Sequence, residues 1–157
     1  MYKRQILHSF DGTNNNPDGA YPYAGLVQAA NGNFYGTTSG GGAHLEGTVF
    51  TITASGALTI LHSFDGTDGS SPYAGLIQVT NGNFYGTTYK GGANLPDGTI
   101  FEITASGALT TLHSFDGTDG ANPYASLVQG TNGNLYGTTH IGGAHDYGTV
   151  FSLAVAK

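Results

Sequence analysis

The phrase "LHSFDGT" begins at Leu7, Leu61 and Leu112, and "YGTT" begins at Tyr35, Tyr85 and Tyr136. A third phrase, "ITASGALT", occurs unchanged at Ile52 and Ile103. The chain therefore restates one unit about every 51 residues. That repetition constrains folding more than any other feature, because each unit has to be one supersecondary element that buries itself against copies of itself. Within a unit the strand signals run in order. "YAGLIQV" (73–79) leads through the turn "TNGN" into "FYGTT" (84–88). After the Gly-rich "YKGGANLPD" comes "GTIFEIT" (98–104), then the turn "ASGA" and "LTTLHSF" (109–115). Asn-Gly and Ser-Gly between runs rich in Thr, Ile, Val, Phe and Tyr are hairpin signals, and no helix-length periodic segment interrupts them.

Four antiparallel strands per repeat, here lettered A to D, make the blade of a β-propeller, and the expected fold class is all-β with three such blades. The units are cut out of phase. The chain opens with a lone D-like strand over 5–10, continues with blades over 22–64 and 72–115, and ends in an A–B–C unit over 123–154. All 157 residues read as a single repeat domain. Propellers usually have about 4–8 blades, so three are too few for a ring. An unpaired outer edge is also a liability. The expected partner is therefore the chain itself. A homodimer of six blades comes first and a trimer of nine second, with each N-terminal strand completing a partner's last blade. A monomeric β-trefoil or β-prism has the same strand count and stands as the alternative.

Composition narrows the partners further. A formal charge of −6 with four Lys and Arg excludes a phosphate-backbone partner, and no apolar run is long enough to span a membrane. Cysteine is absent, which leaves no thiolate site. The start "MYKRQILHSF" has no apolar h-region, so no export signal is read there.

The acids are placed unevenly. In a blade the D-to-A link and the B–C loop leave on one face of the ring. Asp11, Asp18, Asp65, Asp68, Asp116 and Asp119 are in links, and Glu46, Asp97 and Asp146 are in B–C loops. Only Glu102 is on a strand. Asp-Gly is also ordinary turn chemistry, since Asp caps its own turn and Gly supplies positive φ.

On that face three ligand chemistries come into view. Calcium would use Asp116 and Asp119, although the spacing lacks a calcium-loop pattern. A transition metal would use His140, His145 and Asp146. Carbohydrate would use the Asp and Asn side chains, Asn122 among them, together with the flat apolar faces of Tyr21, Tyr89 and Tyr147. No metal or cofactor is assigned, and glycans are the favoured small partner.

Other repeated residues read as structural. His8, His62 and His113 share a strand face with Phe10, Phe64 and Phe115, as packed and hydrogen-bonded imidazoles would. Tyr35, Tyr85 and Tyr136 are expected between blades, with the adjoining Gly36, Gly86 and Gly137 admitting a neighbouring backbone. No Gly-x-Ser-x-Gly, His-Glu-x-x-His or P-loop is present, and near-identical loops favour repeated binding over a single catalytic site. A non-catalytic repeat module is therefore expected, with a purely structural fragment and a glycoside-active enzyme as the alternatives.

The run "NPYASLVQGTNGNLYGTTHIGGAHDYGTVFSL" (122–153) resembles the GloVer-type (choice-of-anchor) tandem-repeat family. "GNFYGTT" and "GNLYGTT" look like the blades of sensor-associated propellers. The resemblance covers nearly the whole chain and implies bacterial export or surface display. It brings no catalytic residue that can be placed on this sequence. With three closely similar repeats and neither leader nor sorting tail, the chain is expected to be an excised or engineered fragment.

Overall fold

The computed structural model describes residues 3–12, 18–94 and 96–155. Eleven strands form three antiparallel meander sheets that stand side by side as propeller blades. The first holds β1 (Val27–Gln28), β2 (Phe34–Thr38), β3 (Thr48–Ile52) and β4 (Leu58–Ser63). The second holds β5 (Ile77–Gln78), β6 (Phe84–Thr88), β7 (Thr99–Ile103) and β8 (Leu109–Ser114). The third holds β9 (Val128–Gln129), β10 (Leu135–Thr138) and β11 (Val150–Leu153). Separate sheets replace the single barrel that a trefoil would need. Among the described residues no helix is long and apolar enough to cross a membrane.

Each A–B hairpin turns as its Asn-Gly predicts. Gly32 N–H donates to the Ala29 carbonyl at 2.9 Å, and Asn31 Oδ1 accepts from Asn33 N–H at 3.0 Å. Gly32 holds φ +82° there, a conformation that favours glycine. Further out, the β3–β4 register steps from Val49–His62 to Phe50–Ile60. Leu61 is left as a bulge, and the β7–β8 pair repeats the step at Leu112.

The core lies between blades rather than within them. Tyr35, Val49 and Phe64 of the first blade pack on Leu76, Phe84, Phe101 and Ile103 of the second. Tyr85, Ile100 and Phe115 of the second pack on Leu127 and Leu135 of the third, with Phe151 and Leu153 against them. Tyr35 stacks on Phe84 at 4.1 Å between ring centroids. Its hydroxyl accepts from Asn31 Nδ2 at 3.1 Å, and Tyr35 and Tyr85 take the inter-blade place expected of the repeated tyrosines, whereas Tyr136 is only half-buried. Tyr85 adds a donated bond to Glu102 Oε1 at 2.8 Å, which gives the one strand-borne acid a partner.

Two expectations are corrected. The inner strands are two residues long rather than seven, because their backbone groups are used elsewhere. Thr37 Oγ1 donates to the Ala74 carbonyl at 3.0 Å, and Gly75 N–H donates to Ser126 Oγ at 3.0 Å, both across blade boundaries. The N-terminal segment 5–10, expected to pair in a partner's last blade, makes no ladder with the described residues of its own chain. Finally, the repeated strand glycines admit a ring and not a backbone. A Cβ on Gly86 would stand 2.6 Å from Phe101 Cζ and 2.9 Å from Leu76 Cδ2. The first link reads "NNNPDGAYPY" (14–23) where the second reads "DGSSPY" (68–73), and the residues that enlarge it fall within 13–17, outside the described residues.

Gly86→Ala should therefore overpack a seam in which Phe101 and Leu76 are both buried. The expected loss is about 1–3 kcal/mol in urea unfolding. Gly25→Ala meets nothing within 4 Å and should change stability by no more than about 0.5 kcal/mol.

Candidate functional site

The face that carries the links and B–C loops is assembled by short bridges. Ala20 pairs with Gly40, Ser70 with Lys90 and Ala121 with Ile141, and each bridge joins a link to the B–C loop of the same blade. Cross-blade clasps follow at the next residue. Ser71 N–H donates to the Glu46 carbonyl at 2.8 Å, and Asn122 N–H donates to the Asp97 carbonyl at 2.7 Å. Tyr21, Ser71 and Asn122 all hold φ near +55°, at 58°, 54° and 55°, and their carbonyls accept from the Ser39, Tyr89 and His140 N–H groups of the B–C loops. Each precedes a proline, which disfavours helical backbone there, so the strained conformation is held by the bonds around it.

Most of the acids are occupied by their own turns. Asp65 Oδ1 accepts from Thr67 N–H at 2.9 Å and from the Thr67 hydroxyl at 2.7 Å. Asp68 Oδ1 accepts from Asp65 N–H at 3.1 Å, while Oδ2 meets His62 Nε2 at 2.5 Å. Asp116, Asp119 and His113 repeat the arrangement, with His113 Nε2 at 2.6 Å from Asp119. His8 meets the buried Asp18 at 2.9 Å. Each of these imidazoles also lies edge-on to the phenylalanine two residues on. The repeated histidines are thus packed and hydrogen-bonded, as their place on the strand implied.

In the B–C loops, Asp146 Oδ1 accepts from Gly142 N–H at 3.1 Å, and the Glu46 carboxylate accepts from the Ser70 hydroxyl. Asn122 is buried and donates from Nδ2 to the Tyr89 carbonyl at 2.8 Å. Among the described residues, no three His, Asp or Glu side chains converge as metal ligands do. His140, His145 and Asp146 are therefore not gathered into a centre, and the Asp116–Asp119 loop is a self-capped turn.

What the face does gather is tyrosine. Tyr73 lies 5.4 Å from Tyr23 and stacks on Tyr124 at 5.0 Å and 18°. Tyr89 closes the group edge-on, 5.4 Å from Tyr73 and 5.7 Å from Tyr124. Lys90 Nζ sits 5.8 Å from the Tyr89 ring centroid. Tyr23 and Tyr124 are exposed and Tyr73 is half-buried between them. Burial raises the Tyr73 phenol above its ordinary value, and Tyr124, Tyr23 and Tyr89 add to the shift. Of this group the sequence points to Tyr89 alone. Its missed signal was the Pro-Tyr pair at one phase of every repeat, in Pro22-Tyr23, Pro72-Tyr73 and Pro123-Tyr124. Tyr21 and Tyr147, which had been singled out, lie in the first link and the last B–C loop and are both exposed.

The turn carboxylates make a titration prediction. Hydrogen bonds from the Thr67 hydroxyl and then the Thr67 N–H hold Asp65 below its ordinary pKa, and Thr118 does the same for Asp116. A lowered folded-state pKa contributes stability above the ordinary Asp value of about 3.9, and that contribution is lost as pH falls through the folded value. Carbonyl-carbon NMR titration should give both groups midpoints below the ordinary value. Thr67→Val should return Asp65 toward it and leave Asp116 unmoved.

The chain matches the Gloeobacter/Verrucomicrobia repeat family over residues 2–157 and belongs to it. No curated protein sequence matches it. Among solved structures it is similar to a streptogramin B lyase, with TM-score 0.52 and 19% identity over 89% of this chain and 42% of that one. It is also similar to virginiamycin B lyase from Staphylococcus aureus, with TM-score 0.50 and 20% identity over 91% of this chain and 44% of that one. The chain thus spans less than half the length of either neighbour, and the likeness is one of fold.

Proposed function

We propose that this Gloeobacter/Verrucomicrobia repeat protein is a non-catalytic binding module whose tyrosine arc takes polar, carbohydrate-like ligands. The observation that carries the reading is the Tyr23–Tyr73–Tyr124 group, with Tyr23 and Tyr124 exposed on either side of the half-buried Tyr73, built from the same position of three successive repeats. Core tyrosines in this chain, such as Tyr35 and Tyr85, are buried and give their hydroxyls to side-chain partners. The arc instead presents ring faces and phenols to solvent on a rigid, clasped surface. A flat apolar face beside a hydroxyl suits the alternating C–H and O–H surface of a sugar ring, and the two together favour recognition over reaction.

Turn chemistry supports the non-catalytic part of the reading. The carboxylates that would have to act as acid and base are tied to hydroxyls and N–H groups of their own loops. Both neighbours are named as lyases, and at 19% and 20% identity they lend no residue to this chain. The second reading is a scaffold with no ligand, favoured by the close similarity of the repeats.

A glycan array followed by calorimetry on the best sugar tests the proposal. Tyr73→Ala and Tyr124→Ala should each weaken binding by about tenfold or more, since a well-placed aromatic contact contributes about 1.4 kcal/mol. Asp65→Asn should leave affinity within about twofold. Silence across the array favours the scaffold. Equal losses at Asp65 and Tyr73 would move the site to the acidic rim.

A further inference from the structure

The two blade seams inside the chain are copies of one another, and the faces at its two ends are the unmatched halves of a third. Leu76 and Leu127 sit at the seams and are 6% and 4% exposed, whereas their counterpart Leu26 on the open face of the first blade is 54% exposed. Val49 and Ile100 are 0% and 2% exposed, whereas their counterpart Val150 on the open face of the last blade is 81% exposed. The same side chains that drive packing within the chain are therefore bare at both ends. Apolar residues left in water at such positions mark an interaction surface.

The N-terminal segment already lies where an outer strand belongs. The Leu7 carbonyl sits against Gly56 as the Leu61 carbonyl sits against Gly107, each at 2.6 Å from the position a Cβ would take. Phe10 meets Phe50 at 5.3 Å, the distance at which Phe64 meets Phe101 and Phe115 meets Phe151. Residues 4–10 thus occupy the outer-strand place of a blade that would precede the first. Among the described residues, β11 has a sheet neighbour only on its β10 side.

We infer that a second copy of this chain supplies the missing half at each end. Residues 4–9 of one copy complete the sheet of β11 in the other, and the reverse happens at the second junction. The registers of β3–β4 and β7–β8 carry over directly: Val150 faces His8, Phe151 faces Ile6 past a bulge at Leu7, and Ser152 faces Gln5. The backbone clasp carries over as well. Tyr21 N–H, at the position of Ser71 and Asn122, donates to the Tyr147 carbonyl of the other copy, at the position of Glu46 and Asp97. Two copies laid end to end take up most of the length of either similar lyase and three overrun it, which favours a six-blade ring of two chains. This assembly does not depend on the ligand reading.

Sedimentation equilibrium at micromolar concentration is expected to give twice the 16.1 kDa chain mass. Val150→Asp changes a side chain that is exposed in the lone chain. It should halve the measured mass and leave the far-ultraviolet circular dichroism per residue little changed. The register is read by Gln5→Cys with Ser152→Cys in this cysteine-free chain, where mild oxidation should link two chains and no more. A wild-type mass of one chain overturns the inference. So does a disulfide closed within one chain, a ladder of three or more chains, or a Val150→Asp variant that keeps the doubled mass.

Discussion

The structure depends on one contact made three times. A phenylalanine at the end of an outer segment meets the phenylalanine of the next blade's third strand edge-on, in the pairs Phe10–Phe50, Phe64–Phe101 and Phe115–Phe151. The second ring can lie flat across its own sheet because the strand opposite offers Gly36, Gly86 or Gly137. The ring pair and the glycine form one unit, since a side chain on the glycine would push the ring out of the seam. Blade spacing follows from this contact, and with it the relative position of every link and loop above.

Around that contact the backbone divides its hydrogen bonds between blade and neighbour. The strands after the first in each blade spend theirs on the ladder, whereas the inner segment spends part of its own across the seam, at Ala74 and Gly75. The pre-proline clasps at Ser71 and Asn122 do the same on the loop face. Together they fix Tyr73 and Tyr124 at ring-contact distance, because each follows, past its proline, a residue held between two blades. The arc is thus a by-product of how the seam is tied, and it stays available for binding because the seam does not use its phenols.

The fold was legible because repetition and turn chemistry agreed. Asn31-Gly32 and Ser55-Gly56 punctuate the chain where the hairpins turn, and Phe34–Thr38 and Phe84–Thr88 are strands with the bounds that the alternation suggested. The inner strands were overread because "YAGLIQV" has strand composition while its partners lie in other blades, and composition does not say where a carbonyl will find its donor. The outer segment 5–10 has strand composition and, among the described residues, no strand of its own chain to pair with. The acidic face was half legible. Its asymmetry is real, but Asp65, Asp68, Asp116 and Asp119 are there for Thr67, Thr118, His62 and His113. The tyrosine arc was hidden because Pro-Tyr reads as strand entry. Only the seam geometry brings residues fifty positions apart into ring contact.

Near-identity of the repeats has a physical consequence that separates this chain from an ordinary domain. Where internal seams and end faces share one set of side chains, intrachain stability and the self-association inferred above would draw on the same interaction. A substitution made in every repeat shifts both together, whereas one at Leu26 or Val150 touches an end face alone. A head-to-tail contact of this kind either closes or grows into a filament, and the turn accumulated per blade decides which. The seam that sets that turn, the phenylalanine pair over its glycine, is the same contact that holds each chain together. If the two ends meet as inferred above, closure is encoded in the core rather than added at the surface, and the residues that would set ring size are buried ones.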